Sequence, residues 1–393
     1  MYPNYIKKII NIFYKNNFKA YVVGGAVRDY LLDIKPKDYD LCTNAKPNEI
    51  INIFSSEYKL ITSFQKYGTI TIIANKNFIE VTTFRTEKKY KNNRKPSKVT
   101  FTNNLKLDLL RRDFTINAIA YNHIDGIIDP FDGYKDLKSN IIKTIKSPQK
   151  VISQDALRIL RAIRFCLKYD LIIEKETKES IHKNIKLLNK LSQERITEEI
   201  IKIINLPNFY DSLKKLNDFK VFYNLNLSNK TKNISANTKK IPNIEIFRLL
   251  SIIHIFNIND LHFFKLEKND YKKIKLFLSY LEKKINIFDK YKIKILIKDI
   301  SKEQIDNFLK IYEILNNTKI EIKIKKLIKN IIKKNLAIKK SDLNIDGNDL
   351  IDLGIKPGKK IGIFLQKIYY EVLNENLNNN KKDIINFVKK INK

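Results

Sequence analysis

The chain has 393 residues, 43% hydrophobic and 30% charged, with 76 Lys+Arg against 42 Asp+Glu. A net charge of +34 points to a polyanionic partner, while the apolar fraction excludes a disordered chain and nine Gly with nine Pro exclude a collagen-like one. Two cysteines, Cys42 and Cys166, cannot build a disulfide framework or a thiolate metal site, and no cleavable leader or membrane-length apolar run is visible, so a soluble cytoplasmic protein is expected.

In chain order, the spacing predicts a helix over YIKKIINIFYK, then a short strand AYVV running into Gly24-Gly25, then a helix over AVRDYLLD. KDYDLCT reads as a strand and PNEIINIFSS as a helix, while YKLITSF, GTITIIA and FIEVTTFR are β-branched runs of strand length. The first 145 residues therefore predict an α/β domain with a small mixed sheet. From Val151 the pattern turns helical, and Gly133 to Gly347 is a stretch with no glycine between its ends, as continuous helical architecture requires. Residues 227–242, LSNKTKNISANTKKIP, read as a loop or linker, and no fixed-period repeat is visible.

Lysine, asparagine and isoleucine dominate throughout, so a lysine run reads first as a solvated helix face. Arginine is the sharper tracer. Only ten of the basic residues are Arg, and nine of them lie between Arg28 and Arg195. Where a composition favours lysine, the remaining guanidinium groups mark places that need a planar fork.

VVGGAVRDYLLDIKPKDYDL carries the first chemistry. A strand that runs through Gly24-Gly25 directly into a helix aims backbone N–H groups and a positive helix end at one point, an anion site suited to a triphosphate. Arg28, in the first turn, could add a forked phosphate contact. Asp38 and Asp40, two apart in a strand-like context, share a face and suit a pair of Mg²⁺ ions for in-line phosphoryl transfer.

With GGAVRDYLL followed by DYDL, the chain resembles the tRNA nucleotidyltransferases, or CCA-adding enzymes, of the class that includes bacterial poly(A) polymerases. LLRRDFTINAIAYN (109–122), IIDPFDGYKDL (127–137), SQDALRILRAIRF (153–165) and DGNDLIDLGIKPGKKIG (346–362) are similar to the family's later blocks, in order. The resemblance implies an α+β chain: a polymerase-beta-like nucleotidyltransferase head (1–145), then an all-helical neck (146–206), body (207–315) and tail (316–393). It makes Asp38 and Asp40 the catalytic metal ligands and sets Glu80 near them as a weaker third. It also assigns Arg111, Arg112, Asp113 and Asn117 to the ribose and triphosphate of the incoming nucleotide, for which forks and hydroxyl acceptors are suitable groups.

The same resemblance makes Asp155 and Arg158, three apart on a presumed helix, an amino-acid template for the base. A carboxylate accepts from the exocyclic amine of cytosine or adenine and a guanidinium donates to the neighbouring acceptor, whereas uracil and guanine set a carbonyl against the carboxylate. Gln154 stands where the family usually has an acid. Arg161 and Arg164 either organise this pocket or pack as salt bridges. Lys66 is isolated where poly(A) polymerases usually carry a basic run. Residues 86–101, with Tyr90, Arg94 and Pro96, occupy the place of the flexible loop that accompanies the change from C to A addition and that CC-only enzymes tend to lack.

The reaction implied is template-independent addition of CCA to tRNA from CTP and ATP, with Mg²⁺, no membrane and no stable protein partner. CC-only addition, poly(A) addition and an inactive RNA-binding protein are the alternatives. Lys359 and Lys360, beside Gly354 and Gly358, either seat an RNA backbone phosphate or flank a tight interhelical turn. The scattered His123, His182, His254 and His262 exclude an added His-Asp phosphohydrolase module.

Overall fold

A computed structural model describes residues 2–91, 95–333 and 339–392, with the backbone alone for 87–91 and 95–98. The chain opens with α1 (Asn4–Lys15), β1 (Ala20–Val23), α2 (Gly25–Leu31), β2 (Asp40–Thr43) and α3 (Pro47–Phe54). There follow β3 (Lys59–Ile61), β4 (Thr69–Ala74), β5 (Asn77–Thr83), β6 (Arg85–Lys91), β7 (Lys95–Phe101), α4 (Leu105–Leu109), β8 (Ala120–Asn122), β9 (Gly126–Ile128), α5 (Gly133–Lys138) and β10 (Ile141–Ile142).

Seven of these strands form one sheet in the order β3-β4-β5-β2-β1-β8-β9. It is mixed, as expected: β2 pairs with β5 in parallel, and the other neighbours are antiparallel. Alternation along the strands divides its side chains between two cores. Leu41, Ile70, Ile72, Ile79 and Val81 join Ile6, Ile9, Ile10 and Phe13 of α1 on one face. Tyr21, Val23, Cys42 and Phe84 meet Leu109, Ala118 and Val151 on the other. Among the described residues, strands β6 and β7 pair with each other alone, as a separate antiparallel sheet.

The helical part begins with α6 (Pro148–Gln154) and α7 (Leu157–Lys168), is interrupted by β11 (Ile172–Ile173), which pairs with β10, and resumes with α8 (Lys175–Asn184), α9 (Gln193–Ile204), α10 (Phe209–Asp218) and α11 (Val221–Asn224). Beyond it run α12 (Glu245–Ile255), α13 (Lys268–Leu281), α14 (Lys290–Ile300), α15 (Ile305–Leu315), α16 (Ile322–Lys333), α17 (Gly347–Asp352), α18 (Lys359–Leu373) and α19 (Lys381–Ile391).

The chain divides into two compact units, Met1–Lys230 with Phe263–Lys265, and Thr231–His262 with Leu266–Lys393. Their first boundary falls inside the 227–242 segment read as a loop, whose residues 228–235 form no helix or strand. In the first unit the sheet and helices α6–α11 share one body. In the second, Leu350, Ile368, Val372, Ile384 and Val388 gather α17–α19 around a core of their own. No helix among the described residues is long and apolar enough to cross a membrane.

Candidate active site

Strand β1, central in the sheet, ends at Val23, and the chain turns through Gly24 into α2. Gly24 has φ +70, and a Cβ there would lie 2.9 Å from an Arg112 guanidinium nitrogen, so a glycine is required both for the turn and for the approach of that side chain. Antiparallel pairing sets Asp40 opposite Val23. The parallel register of Leu41 with Val81 runs back to bring Glu80 beside Asp40.

Asp38 lies two residues before that strand, in its irregular approach, because β2 begins only at Asp40; the expected pair of acids on one strand is corrected to one strand acid and one loop acid. Asp38 still lies near enough to act electrostatically on Asp40. Burial raises the Asp40 carboxyl above its ordinary range, Glu80 adds to this, Arg112 opposes it, and Asp38 raises it further. The Asp40 residue nonetheless stands exposed at the start of its strand. The three carboxylates are thus mutually repulsive and only partly compensated. Oxygen-rich negative charge of this kind fits a hard divalent cation. Among the described residues no three His, Cys, Asp or Glu side chains form a ready-made metal cage.

Arg111 and Arg112 follow the short helix α4. Asp108, fully buried on that helix, accepts from Arg111 Nε at 2.9 Å and lies 3.7 Å from the Arg112 guanidinium. Residues 115–117 make one 3₁₀ turn that presents Asn117. Gly133 is pressed against this turn: an added Cβ would meet the Thr115 carbonyl at 2.2 Å, which no side chain tolerates.

Asp113 and Asn117 are buried, and they are wired to the protein itself. Asp113 accepts from the Phe114 amide (2.9 Å), from Asn117 Nδ2 (2.9 Å) and from Arg161 Nε (2.7 Å). Burial alone would raise its carboxyl, but Arg161, Asn117 and Arg158 together hold it well below the usual carboxylate range. Asn117 in turn accepts from Arg28.

Arg28 corrects an expectation. Its side chain is 5% exposed, and the guanidinium donates to Asp29 (2.6 Å), Tyr169 (2.5 Å) and Asn117 while packing against the Phe165 and Tyr169 rings. It locks α2 to α7 rather than reaching for a phosphate.

The presumed base template also needs correcting. The helix breaks at Asp155, whose backbone is extended (φ -145, ψ 104) between α6 and α7. Its carboxylate accepts from the Leu157 amide at 3.1 Å, as an acid just ahead of a helix does, and pairs with Arg195 at 2.9 Å. Arg158 instead donates to the backbone carbonyls of Val151 (3.1 Å) and Arg111 (3.0 Å). The two side chains are therefore held by different partners. Arg161 pairs with Asp113 and Arg164 with Glu199, each at 2.7 Å, so both pack as salt bridges.

Of the expected flexible-loop residues, Arg94 lies outside the described residues, and only the backbone of Tyr90 is described, opposite Pro96 in the hairpin. Lys359 and Lys360 are exposed at the start of α18, after a turn in which Gly354 and Gly358 both have positive φ. Sequence reasoning missed Asp29, Asp108, Tyr169, Arg195 and Glu199. The signal for Asp108 was its spacing, three and four residues before the arginine pair. For Asp155 the cap was signalled by an acid directly ahead of an apolar-periodic run.

Comparison with known proteins decides what this arrangement belongs to. Residues 20–143 match the Poly A polymerase head domain family, 170–227 a family described as the probable RNA and SrmB-binding site of polymerase A, and 251–388 a tRNA nucleotidyltransferase domain. A CCA-adding enzyme of Staphylococcus haemolyticus is 34% identical over 98% of this chain and 97% of its own length. This chain belongs to the CCA-adding enzyme family. Among solved members, the Bacillus stearothermophilus CCA-adding enzyme in complex with CTP superposes with a TM-score of 0.78 at 26% identity, covering 100% of this chain and 98% of that one. The Thermotoga maritima CCA-adding enzyme complexed with tRNA gives 0.68 at 25% identity, over 99% and 95%. The CCA-adding enzyme head is thus the mixed sheet that bears Gly24, Asp40 and Glu80.

Proposed function

We propose that the protein is a cytoplasmic tRNA nucleotidyltransferase that joins CMP, CMP and AMP in turn to the 3′ end of tRNA, releasing pyrophosphate and copying no nucleic-acid template. The observation that carries this reading is the meeting of Asp40, Glu80 and Arg112 beside Gly24: metal-binding oxygens, a phosphate-binding fork and a glycine turn into a helix, at the ends of neighbouring strands. The descriptions of solved relatives in complex with CTP and with tRNA support the substrates.

Asp38 and Asp40, with Glu80 beside them, are the groups that would hold Mg²⁺. When bound there, Mg²⁺ lowers the pKa of an attacking 3′-hydroxyl and neutralises charge on departing pyrophosphate. The turn through Gly24 and Gly25 would offer backbone N–H groups to the triphosphate, and Arg111 and Arg112 would grip it as forks. Asp113 and Asn117 brace this wall from behind, through Arg28 and Arg161.

For the base, Asp155 offers lone pairs to an exocyclic amine while its ion pair with Arg195 orients it. Its selectivity for CTP and ATP over UTP and GTP follows from donor–acceptor matching. Phosphate contacts with tRNA come from the lysine-rich helices, including Lys359 and Lys360, since duplex RNA is read mostly through backbone and shape.

The test is to offer tRNA lacking its terminal CCA with each nucleotide alone and together, in Mg²⁺, and to sequence the products. Ordered CCA is expected. Products stopping at CC despite ATP, long A tails, or no incorporation would each replace the reading with CC-only addition, poly(A) addition or a binding protein.

A further inference from the structure

The buried carboxylate of Asp108 has no part in the scheme above, yet it lies at the junction of three site elements. It is 0% exposed. Oδ1 accepts from Arg111 Nε at 2.9 Å and from the backbone amide of Arg85, the first residue of β6, at 3.1 Å. Oδ2 is 3.7 Å from the Arg112 guanidinium and, among the described residues, has no hydrogen-bond partner. Arg112 Nε is likewise buried without one, while another nitrogen of the same guanidinium lies against Gly24.

A fully buried carboxylate without a complete set of donors is costly unless its charge is used. Here the cations facing it are the two adjacent arginines at the phosphate wall. We propose that Asp108 is a positioning residue for nucleotide polyphosphate binding. Its Oδ1 anchors Arg111 to the root of β6, and the negative charge on Oδ2 holds the Arg112 guanidinium at Gly24. The incomplete pairing of Oδ2 and Arg112 leaves that guanidinium able to turn its free edge toward a phosphate. Asp108 itself touches no substrate.

The inference rests on the assignment of Arg111 and Arg112 to the nucleotide's phosphates, and its test separates the two. Binding of CTP and of CMP, with Mg²⁺, is measured by calorimetry on the full-length wild type, Asp108→Asn and Arg112→Ala. Asp108→Asn keeps an acceptor oxygen for Arg111 and Arg85 but removes the charge, and a melting curve checks that each variant is folded. The expected result is a CTP-to-CMP affinity ratio about tenfold lower in Asp108→Asn, with CMP affinity unchanged, the size expected when one charged hydrogen-bonding partner is lost. In turnover, the same variant raises KM for CTP more than it lowers kcat. Asp108→Ser, smaller and uncharged, makes the same test if the amide is not accommodated. A wild-type ratio in Asp108→Asn beside a collapsed ratio in Arg112→Ala overturns the positioning role alone. A wild-type ratio in both overturns the phosphate assignment and the inference with it.

Discussion

The two units of this chain differ in their arginines: nine of the ten lie in the first, and the second has the buried Arg248. In the first, described arginines are embedded: Arg28 in an aromatic and carboxylate pocket, Arg158 on two carbonyls, and Arg161, Arg164 and Arg195 on Asp113, Glu199 and Asp155. In the second, lysines such as Lys359, Lys360 and Lys367 stand exposed on helix faces, and the buried Lys294, bonded to the Leu373 carbonyl at 2.8 Å, is an exception. The difference follows from what each group can do. A guanidinium offers several donors in fixed directions, so it can link elements distant in sequence; an ammonium acts as a hydrated point charge that serves wherever phosphates need only be attracted. Arginine in the first unit is therefore architecture for a site, and lysine in the second is a surface.

That contrast can be broken at its strongest point first. Asp113→Ala strips Arg161 and Asn117 of their shared partner inside the first unit. Loss of a buried ion-pair member of this kind predicts destabilisation by about 3–5 kcal/mol, read by urea denaturation. A loss no larger than that of an exposed lysine substitution would dissolve the distinction between the units.

Asp155→Ala is expected to narrow the preference for CTP over UTP by about 10- to 100-fold, with triphosphate affinity changed much less. Arg195→Gln is expected to move selectivity in the same direction, since it frees the carboxylate from its fork. Competition assays with mixed nucleotides measure both, and unchanged selectivity would return Asp155 to a purely structural cap.

The acid cluster makes a prediction about pH. The Asp40 carboxyl titrates above its ordinary value in the folded chain, so the folded state takes up a proton more readily than the unfolded one. Without metal, stability contributed by this group falls as pH rises from the ordinary carboxylate range, about pH 4, through the raised value. On the proposed function, Mg²⁺ would take the proton's place. Its stabilising effect in thermal melts is therefore expected to be larger at neutral pH than near pH 4–5, and to shrink in Asp40→Asn. Equal Mg²⁺ stabilisation at both pH values would remove Asp40 from the metal site.

The smallest effect belongs to the surface. Lys359→Ala and Lys360→Ala should each reduce the salt dependence of tRNA binding by about one unit of slope or less, leaving kcat and base choice alone. A change in selectivity from either would mean that the lysine face does more than attract.

Much of the fold was legible because its signals are local. The strand running through Gly24-Gly25 into a helix, the β-branched strands of the mixed sheet, the glycine-free helical stretch and the 227–242 break all show within short windows. What was not legible depended on partners far along the chain. Arg28 looked free because Asn117 and Tyr169, 89 and 141 residues away, cannot be seen from its own helix. Asp155 looked helical because the residues on either side of it are. The break appears only once its carboxylate is seen capping the Leu157 amide and pairing with Arg195. Asp108 was hidden for a third reason: its spacing from Arg111 and Arg112 signals a pairing, but nothing local shows that the carboxylate is fully buried.

The central claim is that Asp40, beside Glu80 and the Gly24 turn, holds the metal through which nucleotides are joined to RNA. Its most direct test compares wild type with Asp40→Asn on tRNA lacking CCA, with CTP, ATP and Mg²⁺, by sequencing the 3′ ends. The account predicts ordered C, C and A on the wild-type products, and incorporation reduced at least about 10³-fold in a variant that still melts cooperatively and still binds tRNA. Undiminished incorporation by Asp40→Asn would contradict it.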